Sequence, residues 1–132
     1  MERKKIRVLL AKIGVDVHDR GIKIIGRALR DAGMEVIYLG PSQLPTDIVR
    51  AAIEEDVDVI GISSMEGMHL VRLPEVTQLL RERGVEDILV VAGGIIPDED
   101  RSTLKKAGIA EIFGPGTLLR DITNFIMRNV RK

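Results

Sequence analysis

Cysteine is absent from this 132-residue chain, which excludes a disulfide framework and any thiolate metal site. Tryptophan is absent too, and the aromatic residues amount to Tyr38, Phe113 and Phe125. Single-stranded nucleic acids are held by stacking bases on aromatic rings, so that class lacks its materials here. Net charge is also missing. Lys+Arg and Asp+Glu both number 20, and no bulk field draws the chain to nucleic acid or to a membrane surface. No apolar run approaches the roughly 20 residues of a spanning helix. Met1-Glu2-Arg3-Lys4-Lys5 leads straight into a strand, without the apolar core of a signal peptide. The expectation is one cytoplasmic domain over residues 1–132, with neither nucleic acid nor membrane as a partner. At 45 % hydrophobic residues it has the means to bury a substantial core.

What is present is a regular alternation of strands and helices. Ile6 to Ala11 reads as a first strand, and a helix from about Asp19 to Ala32 ends at Gly33, a good left-handed terminator. The inner face of that helix is Ile22, Ile25, Ala28, Leu29 and Ala32, at three-four spacing. Glu35 to Leu39 is a second strand, and Pro45 opens a helix that continues to Glu55. Val57 to Ile62 reads as a central strand ended by Ser63-Ser64. The next helix reaches Arg83 and either begins close to Pro74 or kinks there, because proline is tolerated only in a first turn. Ile88 to Ala92 is an uninterrupted apolar run, as expected of a strand covered on both faces. Pro97 opens a fourth helix, Glu111-Ile112-Phe113 is a short fifth strand, and a last helix carries Leu118, Ile122, Phe125, Ile126 and Val130. Five such units demand right-handed crossovers and a parallel sheet. They suit a doubly wound α/β fold of flavodoxin-like (Rossmann-like) order 2-1-3-4-5, with its switch point between strands one and three.

Ligands bind at the carboxyl ends of the strands in such sheets. That rim carries Lys12 to Gly21, then Ser63-Ser64-Met65, then Gly93-Gly94, then Gly114 to Thr117. Each has an ordinary structural reading: double glycines end strands, serines cap helices, and Gly-Pro-Gly turns the chain. Together they put small residues on three loops, which clears room for a bulky ligand against the backbone. The first loop adds His18 with Asp16 two residues before it. A carboxylate beside an imidazole fixes its tautomer and raises its basicity, which suits a metal-ligating histidine. The same pair also reads as a helix cap beside a solvated polar residue.

These residues give the chain a specific resemblance. Asp16-x-His18-x-x-Gly21 is followed by a gap of 41 residues to Ser63-x-Met65, and then by 27 residues to Gly93-Gly94. That pattern resembles the cobalamin-binding domain of the adenosylcobalamin-dependent mutases, whose motifs are Asp-x-His-x-x-Gly, Ser-x-Leu and Gly-Gly. Met65 stands where the family has leucine, a volume-conserving exchange. The likeness covers nearly the whole chain, and Asp16 to Gly21, Gly93 to Pro97 and Phe113 to Thr117 look most similar to methylmalonyl-CoA mutase.

The resemblance implies adenosylcobalamin as cofactor, with His18 as the lower ligand of cobalt in place of the cofactor's own dimethylbenzimidazole. It implies that Asp16 accepts the other ring N–H of His18 and that Lys12 pairs with Asp16. Asp19, Arg20, Gly21, Ser63, Met65, Gly93, Gly94, Gly116 and Thr117 would bind the cofactor, whose displaced nucleotide tail would enter the cleft between strands one and three. Ser63 would hydrogen-bond the benzimidazole. His69, where relatives have a Gly-His pair, reads equally as a corrin-rim contact or as a solvent-facing residue at a helix start. The family's cofactor carries radical chemistry on an acyl-CoA ester, whose carbonyl-thioester group migrates, and the protein positions and tunes it. The family's substrate barrel, roughly 250 residues, is not in this sequence. The expected role is therefore the small subunit of an isomerase, inactive alone, with a large barrel-type mutase subunit as partner and a GTPase chaperone of the mutase as a further one.

Other readings share the fold. A phosphoacceptor receiver needs an aspartate ending strand three and a lysine ending strand five, where this chain has Ser63 and Phe113-Gly114. A flavin module wants aromatic flanks that this rim lacks. A corrinoid methyl carrier uses the same Asp-x-His-x-x-Gly loop but adds an amino-terminal helical cap, and here the first strand starts at about Ile6. Small subunits of glutamate or isobutyryl-CoA type mutases remain alternatives within the family.

Overall fold

The computed structural model describes residues 5–13, 20–40, 43–64, 69–94, 96–114 and 116–130, with the backbone alone at Arg20 and His69. The elements are β1 (Arg7–Ile13), α1 (Arg20–Asp31), β2 (Glu35–Tyr38), α2 (Pro45–Glu54), β3 (Val59–Ser64), α3 (His69–Glu82), β4 (Leu89–Gly93), α4 (Asp98–Lys106), β5 (Glu111–Phe113) and α5 (Leu119–Asn129). The strands form one parallel sheet in the order β2-β1-β3-β4-β5. This is the flavodoxin-like order that the alternation of elements predicts.

Side chains of a strand alternate between the two faces of its sheet, and the core divides accordingly. Val8 and Leu10 of β1 join Val59, Val91, Leu29, Ile122 and Ile126 under α1 and α5. Leu9, Ala11 and Ile13 join Ile60, Ile62, Val90 and Ala92 on the other face, under Ile48 and Ala52 of α2, Leu73 and Leu80 of α3, and Leu104 of α4. β3 lies at the centre, paired with β1 on one side and β4 on the other. Its residues are buried apart from the partly exposed Ser63, which is why its sequence is a nearly continuous apolar run.

The boundaries differ from expectation where tertiary pairing extends a strand. β1 continues two residues past Ala11, because Lys12 and Ile13 stay in register with Ser63 and Ser64. Lys12 is therefore a buried strand residue rather than a loop residue. Ser63 and Ser64 belong to β3 instead of ending it, and Gly93 is the last residue of β4, in register with Ser63 and Phe113. α3 begins at His69 and runs on through Pro74. Proline offers no N–H to the carbonyl one turn back. Next to it, the Thr77 hydroxyl lies 3.0 Å from the Pro74 carbonyl oxygen and 2.7 Å from that of Ala107, which ties α3 to the end of α4.

β5 is an edge strand, and edge strands expose N–H and C=O groups that can template another chain. Both such groups of Ile112 are occupied. Its N–H donates to Glu111 Oε1 at 2.9 Å, and its carbonyl accepts from Arg101 Nη1 at 3.0 Å. Lys105 Nζ lies 3.1 Å from the same Glu111 oxygen. Burial, the largest single influence, would raise the Glu111 pKa. The Ile112 N–H, the Lys105 ammonium and the Arg101 charge together outweigh it and hold the carboxyl below its ordinary 4.5. A folded pKa below the unfolded one means that the stabilisation is complete above pH 4.5 and is lost as pH falls through the lowered value. Glu111→Gln should therefore cost about 0.5–1.5 kcal/mol at neutral pH. In urea unfolding followed against pH, the gap from the parent protein should close below pH 4.5; an equal gap in strong acid would contradict this account of the edge.

Candidate functional site

The two helices on one face of the sheet leave a space between them. A cavity of about 340 Å³ is lined by Leu10, Gly61, Ser63, Val91 and Gly93 of the sheet, by Ile22, Ile25 and Leu29 of α1, and by Ile122 and Ile126 of α5. Its mouth, at the carboxyl ends of the strands, is bordered by Gly21, Gly94, Gly114, Gly116 and Thr117. Binding pockets typically measure about 300–1,000 Å³ and are mostly apolar with a few placed polar groups. This cavity fits that description: isoleucines, leucines and valines at depth, with the hydroxyl-bearing Ser63 and Thr117 towards the rim.

Sheet parity explains the hollow. The residues of β3 on this face are Val59, Gly61 and Ser63, and those of β4 are Leu89, Val91 and Gly93. Two glycines on one face remove side chains where the sheet would otherwise meet the helices. A Cβ added at Gly61 would come within 2.7 Å of Leu10 Cδ2, and one at Gly93 within 3.4 Å of the Phe113 carbonyl oxygen. On one wall, Phe113 packs edge-on against Phe125, with ring centroids 5.7 Å apart and planes at 80°. The rim loop after β5 is held by Gly114, whose carbonyl accepts from the Thr117 hydroxyl at 2.7 Å and from the Thr117 N–H at 3.3 Å. Gly116 has a φ of +85°, a left-handed conformation that a side chain would strain. The Gly94 N–H reaches the Phe113 carbonyl at 3.3 Å, tying the two glycine loops together.

The structure thus brings Gly21, Ser63, Gly93, Gly94, Gly116 and Thr117 to one cavity, as the sequence led one to expect. Among the described residues no atom outside its own turn lies within 4 Å of where a Gly21 Cβ would stand. Lys12 lies outside this lining. It borders a smaller space of about 60 Å³ beside Leu10, Ile22, Lys23, Tyr38 and Gly40. Asp16, His18, Asp19 and Met65, and the side chains of Arg20 and His69, lie outside the described residues. His69 opens α3, which is the helix-start position read for it.

Gly61 is the site residue that motif reasoning passed over. Its signal was available, since a glycine inside a central strand often marks a close approach by a ligand or another backbone. Helical periodicity marks Ile25, Ile122 and Ile126 simply as core. They are core-facing, and they are also the walls of the cavity.

A protein-family model described as the B12 binding domain matches residues 6–122. The chain belongs to the B12-binding domain family. Over 112 residues it is 52 % identical to the 2-hydroxyisobutanoyl-CoA mutase small subunit of Aquincola tertiaricarbonis, an alignment spanning 85 % of this chain and 82 % of that protein. It is 42 % identical over 130 residues to the methylmalonyl-CoA mutase of Escherichia coli, covering 96 % of this chain and 18 % of that much longer protein. Its fold matches a cobalamin-binding protein from Desulfitobacterium hafniense DCB-2 with a TM-score of 0.81, over 97 % of this chain and 60 % of that one, at 24 % identity. Among the described residues no helix is long and apolar enough to cross a membrane.

If the cavity takes part of the B12 ligand, filling it must block binding. Gly61→Val places a branched side chain in the floor, displacing the flexible end of Leu10. Affinity for cobalamin should fall at least roughly tenfold, the equivalent of about 1.4 kcal/mol, in a visible-absorption titration. Circular dichroism should show the same fold. An unchanged dissociation constant would place the ligand elsewhere.

Proposed function

We propose that this chain is the cobalamin-binding small subunit of an adenosylcobalamin-dependent acyl-CoA mutase and works with a separate barrel-bearing subunit. The observation that carries this reading is the apolar slot over Gly61, opening between Ser63 and Gly93-Gly94 in a member of the B12-binding domain family. Its shape and chemistry suit a flat apolar heterocycle inserted between α1 and α5, with polar atoms left at the mouth. Ser63 would meet the benzimidazole, Gly93 and Gly94 would let the nucleotide tail run along the backbone, and Gly116 and Thr117 would close its far end.

His18 would hold cobalt from below, oriented by Asp16, with Lys12 as the partner of that carboxylate. An imidazole must be neutral at the nitrogen that binds a metal, and an acceptor on the other ring nitrogen selects the tautomer. Bound adenosylcobalamin supplies the radical chemistry; the protein contributes binding, orientation and exclusion of water. The small-subunit assignment draws on the relative from A. tertiaricarbonis, whose length this chain nearly matches.

The finer reading takes methylmalonyl-CoA as the substrate, interconverted with succinyl-CoA. Its support is the likeness of Asp16 to Gly21, Gly93 to Pro97 and Phe113 to Thr117 to that enzyme's motifs. The relatives named for two different substrates are each similar to this chain over most of its length. With a cofactor-side fold shared across substrates, the barrel partner would select between them.

Ligation by His18 is the decisive test. Cobalamin in the Co(II) state bound to the chain should give a base-off spectrum whose nitrogen hyperfine splitting changes when the histidines carry nitrogen-15. His18→Ala should abolish that splitting. A spectrum with dimethylbenzimidazole still on cobalt, or one unaltered by His18→Ala, would overturn the reading.

A further inference from the structure

We infer that Arg101 is a positioning residue for the cobalamin tail, because its guanidinium holds the Gly114–Thr117 loop against the mouth of the slot. This inference rests on the proposed reading of the slot. Arg101 lies in the first turn of α4. Its side chain is 33 % exposed. One end, Nη1, donates to the Ile112 carbonyl at 3.0 Å. The other, Nη2, lies 3.0 Å from the point where a Cβ on Gly114 would stand. Nε is shielded from solvent and makes no hydrogen bond among the described residues, although the exposed Asp98 Oδ1 lies 3.2 Å away. The guanidinium is thus held by the Ile112 carbonyl and lies alongside the loop at the residue that begins the turn.

What it lies alongside leads directly to the slot. The Gly114 carbonyl carries both bonds from Thr117, and the preceding carbonyl, that of Phe113, carries the Gly94 N–H. Gly94, Gly114 and Thr117 all line the cavity. A displacement of Gly114 therefore shifts the Thr117 hydroxyl and loosens the second glycine loop at once. The planar guanidinium suits this task because its donors form a rigid fork. A flexible ammonium can bond the Ile112 carbonyl but cannot also form a flat surface against Gly114.

A purely structural role, capping the β5 edge, would lower stability and weaken every corrinoid alike. Positioning of the tail loop predicts selectivity. Cobinamide keeps the corrin and cobalt and lacks the nucleotide tail, so it probes the site without the slot. Arg101→Ala should weaken cobalamin roughly tenfold and leave cobinamide within about twofold. Arg101→Lys keeps a donor for Ile112 and should fall between. Gly114→Ala should weaken cobalamin on its own by crowding Nη2, and should add nothing in the Arg101→Ala background, since neighbouring residues in one network are non-additive. Equal losses for cobalamin and cobinamide, no loss in either Arg101 variant, or additive losses in the double variant would overturn the positioning role. Failure of the parent chain to bind cobalamin would instead overturn the proposed function. Should Arg101→Ala not fold, Arg101→Lys and Gly114→Ala still carry the test.

Discussion

The site depends on the parity of one strand. β3 is held in register by β1 and β4 at once, so its residues have no freedom to exchange faces. Val59, Gly61 and Ser63 are committed to the side of α1 and α5, while Ile60, Ile62 and Ser64 face α2 and α3. A slip of one residue would place Ile60 and Ile62 in the slot and fill it. The hollow is therefore a consequence of sheet pairing before it is a property of any loop, and the rim loops only shape its mouth.

An open slot in a hydrophobic core has an energetic cost. Ile22 and Ile25 of α1 are only partly buried, and Ile24 is 46 % exposed. They lack part of the contact that close packing gives other core residues. On the opposite face Ile48, Ala52, Leu73 and Leu104 are fully buried, and their helices anchor the sheet independently of the slot. A ligand that occupies the slot restores packing on the weaker face. Binding to the folded state alone then stabilises the domain by mass action.

Much of this was legible in the sequence. The strand–helix alternation specifies the sheet order through crossover handedness and the position of the switch point, and the rim glycines and Ser63 line one cavity because they stand at the carboxyl ends of parallel strands. The rest needed the third dimension. Lys12 and Ser63 read as loop residues because polar side chains look like strand ends, whereas the β1–β3 ladder extends through them. Pro74 reads as a helix boundary, yet α3 passes through it with Thr77 bonding nearby. Gly61 looks like an ordinary break in an apolar run, and only its face and its neighbours Leu10 and Val91 show that it is the floor of the site. Ile122 and Ile126 lie some sixty positions further along the chain, and helical periodicity cannot separate a residue that fills a core from one that walls a cavity.

The central claim is that the space over Gly61 receives the nucleotide tail of cobalamin. It is tested most directly by isotope-edited nuclear Overhauser measurements on the methyl-labelled chain with bound cobalamin. Contacts from the benzimidazole protons to methyl groups of Leu10, Ile25, Val91 and Ile122 are the result this account predicts. Benzimidazole protons without contacts to those methyls, in a complex that binds the corrin, would contradict it.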